Sequence, residues 1–124
     1  MHLQAPDLKT NYLDDFRYFL QRASKAGVMS MVTEMDVYQG PKGSSPDPMK
    51  RQQEIFHDVI AACLQDSNCI GFYTWGVSDA HTWLANRPNN ALPDAKPLLF
   101  DDNYKKKPAY YGVLDALKNP GPRN

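Results

Sequence analysis

Apolar residues follow two different patterns along the chain: a helical period in some segments and short continuous runs in others. Together these patterns predict an alternation of helices and strands. Between positions 11 and 26 they recur every three or four residues, which is the stripe of an amphipathic helix. Asn11 suits the N-cap of this helix, and Gly27 suits the left-handed position that follows a helix. The apolar stripe consists of Leu13, Phe16, Phe19, Leu20 and Ala23.

Two short apolar runs with little alternation predict buried strands. They are residues 28–37 (VMSMVTEMDV) and residues 70–77 (IGFYTWGV). Continuous apolar character fits parallel strands covered on both faces better than half-exposed antiparallel strands.

A helix is predicted after each of these strands. Asp47 and Pro48 combine an N-cap with a proline in the first helical turn, so a helix is expected over residues 48–65. Pro108 opens the last helix, residues 108–118. The inward face of that last helix is predicted to consist of Tyr111, Leu114 and Leu117.

The order helix, strand, helix, strand, helix predicts an α/β fold with right-handed crossovers. Functional residues of such folds lie where the strands end, and Glu34, Asp36, Trp75 and Asp79 stand at or just past those ends. Two strands alone would leave unpaired edges, so further strands are expected from elsewhere or from a second copy of the chain.

Composition and charge argue against several classes of function. Lysines plus arginines and aspartates plus glutamates number 14 each, so the formal net charge is zero, whereas a nucleic-acid-binding domain normally has a basic bias. No apolar run has the length of a membrane span. Cys63 and Cys69 lack the companion ligands of a zinc site, so neither a metal nor a cofactor is expected. Their spacing leaves open a disulfide or two separate buried thiols.

Glu34 and Asp36 are two residues apart, so both should point to the same side of a strand. Two carboxylates at the end of a buried strand repel each other and cost desolvation energy, which indicates function rather than stability. With Trp75 and Trp83 nearby in sequence, the set suits attack on a sugar, whose rings stack on aromatic faces. On spacing alone, a salt-bridged Glu34 and tryptophans buried in the core remain alternatives.

The sequence contains four characteristic segments: 27–37 (GVMSMVTEMDV), 70–84 (IGFYTWGVSDAHTWL), 97–101 (PLLFD) and 107–111 (KPAYY). These segments resemble glycoside hydrolase family 10, the retaining endo-1,4-β-xylanases, and the resemblance extends over essentially the whole chain. Ser30 and Met35 depart from the usual residues of the first segment. The resemblance implies the C-terminal portion of a TIM (β/α)8 barrel, from the end of strand six through helix eight, over residues 1–119, with a flexible tail over 120–124.

The same resemblance implies a role for each candidate residue. Glu34 would be the nucleophile, Asp36 would hold the hydrogen bonds around it, and His2 would lie at the end of strand six beside it. Trp75 and Trp83 would form the walls of the sugar site. The remaining implied contacts are a disulfide between Cys63 and Cys69, and substrate contacts from His81 and Asp79.

The acid/base glutamate of the family lies in a Trp-x-x-x-Asn-Glu type of motif, which this sequence lacks. The resemblance therefore implies an enzyme that hydrolyses internal xylan bonds only when the N-terminal barrel strands are supplied, with xylan or xylo-oligosaccharides as substrate. The alternative is a non-catalytic half-barrel that binds xylan or assembles with a partner. The family and the possible disulfide imply secretion, although no secretory signal is visible at the start of the chain.

Overall fold

A computed structural model of the protein describes residues 1–123, and it contains one parallel sheet of three strands in the order β1-β2-β3. The strands are β1 (His2–Gln4), β2 (Ser30–Tyr38) and β3 (Cys69–Thr74). The helices are α1 (Tyr12–Lys25), α2 (Pro48–Gln65), the short α3 (Trp83–Asn86) and α4 (Pro108–Lys118). Single 3-10 turns occupy Ala5–Asp7 and Asp79–His81. Of the expected flexible tail, Asn124 lies outside the described residues.

The alternation of helices and parallel strands that the pattern predicts is present. The three long helices lie within one residue of their predicted limits, and the limits of the two predicted strands differ by one to three residues at each end. Strand β1 is the element that periodicity misses, because three residues are too few to show a period. It pairs with β2 in a parallel register that sets His2 opposite Asp36.

The core lies between the sheet and α2, whose inward face is almost completely buried. Ile55, Phe56, Val59 and Ile60 have at most 1% of their surface exposed. Asp47 caps this helix as predicted, because its carboxylate accepts the Lys50 backbone N–H at 3.0 Å. The expected disulfide is also present and joins Cys63 at the end of α2 to Cys69 at the start of β3.

The inward face predicted for the last helix is wrong. Tyr111 and Leu117 are exposed, and Leu114 is only half-buried. Small residues form the buried face, because α4 packs closely against α2: a Cβ at Gly112 would lie 2.5 Å from the Gln53 carbonyl oxygen. The buried residues of α4 are Ala109, Gly112, Val113 and Ala116.

Within the described residues, both outer strands of the sheet have one edge without a strand partner. Apolar side chains on or beside the sheet are exposed there, as expected for a sheet that needs further strands. These exposed residues are Val28, Met29, Met31, Ile70, Tyr73 and Val77. Among residues 1–123 no helix has the length and apolar character needed to cross a membrane.

Tyr12, the first residue of α1, connects that helix to α2. This contact should make the stability of the fold vary with pH in the alkaline range. Its hydroxyl donates a hydrogen bond to Asp58 at 3.0 Å. Burial, and next the Asp58 charge, raise the pKa of Tyr12 above its ordinary value of 10.0. A raised folded-state pKa contributes stability below the unfolded-state pKa, and that stability is lost as pH rises above about 10.

We expect the denaturation midpoint of the native chain to fall between pH 9 and 11, and Tyr12→Phe to flatten this fall because phenylalanine does not titrate. Tyr18→Phe is the matched control, since Tyr18 lies exposed on the same helix. Urea unfolding at several pH values would measure the three slopes. Equal slopes for Tyr12→Phe and the native chain would contradict the assignment.

Candidate active site

The residues singled out by sequence converge at the carboxyl edge of the sheet. The parallel register sets His2 opposite Asp36 near the end of β2, and Trp75 directly follows β3, so the three residues lie together at this edge. The Trp75 backbone N–H donates to the Met35 carbonyl at 2.9 Å, which extends the β2–β3 pairing to the site.

Glu34 stands on an irregularity of β2. Its φ is 55°, in the left-handed region that residues with a Cβ rarely adopt, and the pairing with β3 shifts register between Val32 and Met35. The irregularity separates the two carboxylates by environment, because the Glu34 side chain is 48% exposed and that of Asp36 only 1%. Strained backbone of this kind is concentrated at functional sites.

Asp36 is the buried centre of a hydrogen-bond network. Its Oδ2 accepts from the Trp83 indole N–H at 2.7 Å and lies 2.9 Å from His2 Nδ1. With Nδ1 donating to the carboxylate, the other ring nitrogen of His2 is directed at Glu34, and Nε2 lies 3.4 Å from Glu34 Oε2. His2 thus links the buried carboxylate to the exposed one.

Two indoles surround this pair of carboxylates. The Trp83 ring centroid is 5.0 Å from that of His2, tilted by 57°, and the Trp75 ring meets His2 edge-on at 6.5 Å. Both indoles are more than one-third exposed, so neither belongs to the core. Sequence reasoning did not predict that the Trp83 N–H would bond to Asp36, because the two residues are 47 positions apart.

The structure does not support a substrate contact for Asp79. Its side chain is completely buried, its Oδ1 accepts the Leu98 backbone N–H at 2.8 Å, and its Oδ2 lies 2.7 Å from Lys107 Nζ. The Asp79 carboxylate, in the 3-10 turn that follows β3, faces inward, where it pairs with the lysine at the start of α4. His81 remains exposed and its Nε2 lies 2.8 Å from the Tyr104 hydroxyl.

Lys107 is a residue that the sequence analysis did not single out. Besides Asp79, its ammonium group donates to the carbonyls of Lys96 and Leu98, at 2.7 and 2.8 Å. Burial lowers the pKa of Lys107 and raises that of Asp79, while their mutual attraction opposes both shifts. The sequence contained an indication of this pairing: a lysine at the N-terminus of a helix interacts unfavourably with the helix dipole, so a nearby anion is expected.

The space at the carboxyl edge is small, and a larger cleft lies elsewhere. A pocket of 80 Å³ adjoins His2, Asp36 and Trp83. A cleft of 550 Å³ runs between α2 and α4, where none of the predicted site residues lies. Within residues 1–123 there is no cluster of three or more side chains suited to hold a metal ion.

Solved xylanase structures share this fold. Native xylanase 10B from Thermotoga maritima matches with a TM-score of 0.79 at 32% identity, covering 95% of this chain and 35% of that chain. Xylanase 10B from Thermotoga petrophila RKU-1 in complex with xylobiose matches with a TM-score of 0.78 at 33% identity, covering 95% and 34%. The fold and the carboxylate-bearing edge therefore define part of the TIM barrel of a glycoside hydrolase, which confirms the expected fold class.

Sequence comparison agrees with the structural match. Endo-1,4-β-xylanase A of Humicola insolens is 31% identical over 118 residues, which are 95% of this chain and 30% of that protein. The profile described as glycosyl hydrolase family 10 matches residues 1–116. The chain belongs to glycosyl hydrolase family 10, and it spans about a third of the length of the relatives it matches.

Proposed function

We propose that this chain carries the nucleophile side of a retaining endo-1,4-β-xylanase, with Glu34 as the nucleophile. The observation that supports this most is the pairing of an exposed carboxylate with a buried one through a single histidine. Glu34 projects from strained backbone at the carboxyl edge, and His2 beside it is held by Asp36. The relative from Thermotoga petrophila RKU-1 was solved with xylobiose, so we propose xylan or xylo-oligosaccharides as the substrate.

In the proposed reaction a Glu34 carboxylate oxygen attacks the anomeric carbon of the xylose unit on the non-reducing side of the scissile bond. The bond between that carbon and the glycosidic oxygen breaks as the covalent glycosyl-enzyme forms, and a carboxylic acid protonates the departing oxygen. Water then attacks the same carbon and gives a proton to the acid/base residue, which lost its own proton in the first step. The bond between the carbon and Glu34 breaks, and Glu34 is released as a carboxylate. The configuration of the sugar is retained because the carbon is inverted twice.

In the proposed mechanism the proton donor lies outside this chain. Retaining glycosidases keep their two carboxyl groups about 5–5.5 Å apart, on opposite faces of the sugar. Asp36 does not suit that role, because it is 1% exposed and already accepts hydrogen bonds from Trp83 and His2. We therefore propose that the barrel strands not contained in this chain supply the acid/base residue.

His2 and the two indoles have supporting roles in this proposal. The His2 ring, fixed by Asp36, presents Nε2 to Glu34 at 3.4 Å and would help to hold this carboxylate in position. The exposed faces of Trp75 and Trp83 would stack on the xylose units next to the cleavage point. The disulfide between Cys63 and Cys69 suits an oxidising compartment, and we propose secretion on that basis.

A non-catalytic half-barrel that binds xylan is the second candidate. The observation that favours it is the open sheet, with both outer strand edges unpaired within the described residues. Such a chain would bind xylo-oligosaccharides through Trp75 and Trp83 without turning them over.

A labelling assay separates the two candidates. The chain is incubated with an aryl 2-fluoro-xylobioside, alone and with the part of a family 10 relative that precedes the matched region. We expect release of aryl alcohol and a covalent adduct on Glu34 only in the mixture, because the chain alone lacks a proton donor. An adduct on another residue would reject Glu34 as nucleophile, and sugar binding with no adduct in either sample would favour the half-barrel.

A further inference from the structure

Tyr104 is an exposed aromatic residue that has no part in the site described so far. Its side chain is 59% exposed, and its backbone is in the left-handed region with φ at 60°. A turn over residues 101–105 holds it there. The Asp101 carboxylate accepts the backbone N–H groups of Asn103 and Lys105, and the Asp101 carbonyl accepts that of Tyr104. These hydrogen bonds therefore hold the backbone of the exposed Tyr104 in place.

The topology places this turn on the rim where the proposed substrate lies. Phe100 pairs with Ser78 in a parallel bridge and with Lys106 in an antiparallel bridge. The chain thus leaves Phe100 parallel to the segment at Ser78, turns at 101–105 and comes back to Lys106. Ser78 lies three residues after Trp75, which stands at the carboxyl edge, so the turn adjoins the segment that leaves this edge.

Tyr104 is joined to the segment that carries Trp83. Its hydroxyl lies 2.8 Å from His81 Nε2, and the two rings are 6.3 Å apart at 47°. His81 precedes Trp83 by two residues, and both are exposed. Tyr104 and His81 thus form an exposed aromatic pair that stands two residues from Trp83 along the chain.

We propose that Tyr104 and His81 form an outer sugar-binding platform, which takes a xylose unit of a bound β-1,4-xylan chain beyond the units at Trp83. The inference rests on the proposed function, since it extends that site outward. A rigid tyrosine provides an apolar face for the sugar ring and loses little conformational entropy on binding. The hydroxyl and the imidazole beside it can bond to the sugar hydroxyls, as can the polar neighbours Asn103 and Lys105.

The platform predicts an effect that depends on the length of the sugar. Tyr104→Ala should weaken binding of xylohexaose about three- to tenfold, which is the range expected from the loss of one aromatic contact. It should leave binding of xylobiose unchanged, because two units fill only the places at the tryptophans. Tyr104→Phe keeps the ring but loses the bond to His81, and it should retain most of the affinity for xylohexaose.

The test titrates the 124-residue chain with xylobiose and with xylohexaose and follows the indole N–H resonances of Trp75 and Trp83 together with the ring resonances of Tyr104. Tyr111→Ala is the matched control, because Tyr111 is similarly exposed but lies beside the cleft between α2 and α4. Indole resonances that are unchanged in the unliganded variants establish that the fold is intact.

Each outcome decides the matter. A loss confined to xylohexaose and to Tyr104→Ala supports the platform. Native affinity of Tyr104→Ala for both sugars overturns it and leaves the proposed function standing, because the indoles still respond. Equal losses for both sugars, reproduced by Tyr104→Phe, also overturn it, since Tyr104 would then only brace the loop of Trp83. No response of any of the three rings to either sugar overturns the platform and the proposed sugar site together.

Discussion

Replacing Glu34 by glycine or by alanine is expected to abolish turnover of an aryl xylobioside once the complementary barrel strands are supplied. Loss of a covalent nucleophile costs on the order of 10⁴- to 10⁶-fold in rate in other enzymes, and no other exposed carboxylate of the described residues adjoins His2. The initial rate of aryl alcohol release measures the effect.

The glycine variant, Glu34→Gly, should not destabilise the fold. Glu34 occupies a left-handed conformation that costs a residue with a Cβ roughly 1–2 kcal/mol, and glycine adopts it freely. The greater freedom of glycine in the unfolded chain offsets about 0.5–1 kcal/mol of that gain. Glu34→Gly should therefore unfold at the same or a higher urea concentration than Glu34→Ala. An unfolding midpoint well below that of Glu34→Ala would show that the strand is not strained at this position.

Asp36→Ala is the informative companion variant, because it should show the opposite division of effects. It leaves a part of the turnover, since Glu34 is still present, but it destabilises the site because His2 and the Trp83 N–H lose their shared acceptor. Equal losses of activity from both variants would mean that the two carboxylates do not have the separate roles proposed here.

Lys107→Met should cause the largest loss of stability of any single substitution discussed here, about 3–5 kcal/mol. It would leave the completely buried Asp79 carboxylate without its cation, and it would free the carbonyls of Lys96 and Leu98 from their donor. Urea unfolding at neutral pH measures the change. Lys105→Met is the control: within residues 1–123 the exposed Lys105 ammonium has no such partners, so a change within about 0.5 kcal/mol is expected.

The loss of stability in Lys107→Met should be smaller at acid pH. This pH dependence distinguishes an effect of the unpaired Asp79 charge from an effect of lost packing. Burial already raises the pKa of Asp79, and removal of the Lys107 charge, which lowers it, should raise it further. As the pH falls through this raised folded-state pKa, the folded chain takes up a proton that the unfolded chain has not yet bound, so folding gains stability. A second substitution, Asp79→Asn, should recover part of the loss at neutral pH. A deficit that is the same at all pH values, and unchanged in the double variant, would assign the effect to packing.

Much of the architecture could be predicted from sequence because it depends on near neighbours. The cap at Asp47 is a contact across three residues, and the turn after α1 uses Gly27, whose φ is 71°. The apolar residues of α2 recur every three or four positions, and residues with that spacing lie on one face of a helix. This face is the one that the core buries. The carboxyl-edge location of Glu34 and Trp75 followed from the parallel strands alone.

The parts that sequence could not determine are contacts between distant segments. The predicted inward face of α4 failed because the close approach of α2 selects small residues there, against the usual preference for large apolar ones. Asp79 looked available to a substrate, and only the position of α4 shows that Lys107 encloses it.

By itself, then, the sequence determined the helix-strand order, the helix ends and the edge at which the candidate residues gather. Tertiary structure decided which of two neighbouring carboxylates is buried and which is exposed, because an irregularity in β2 breaks the simple alternation of side chains. It also decided that Trp83 bonds to Asp36, since a hydrogen bond across 47 residues depends on how three strands pair and has no local signature.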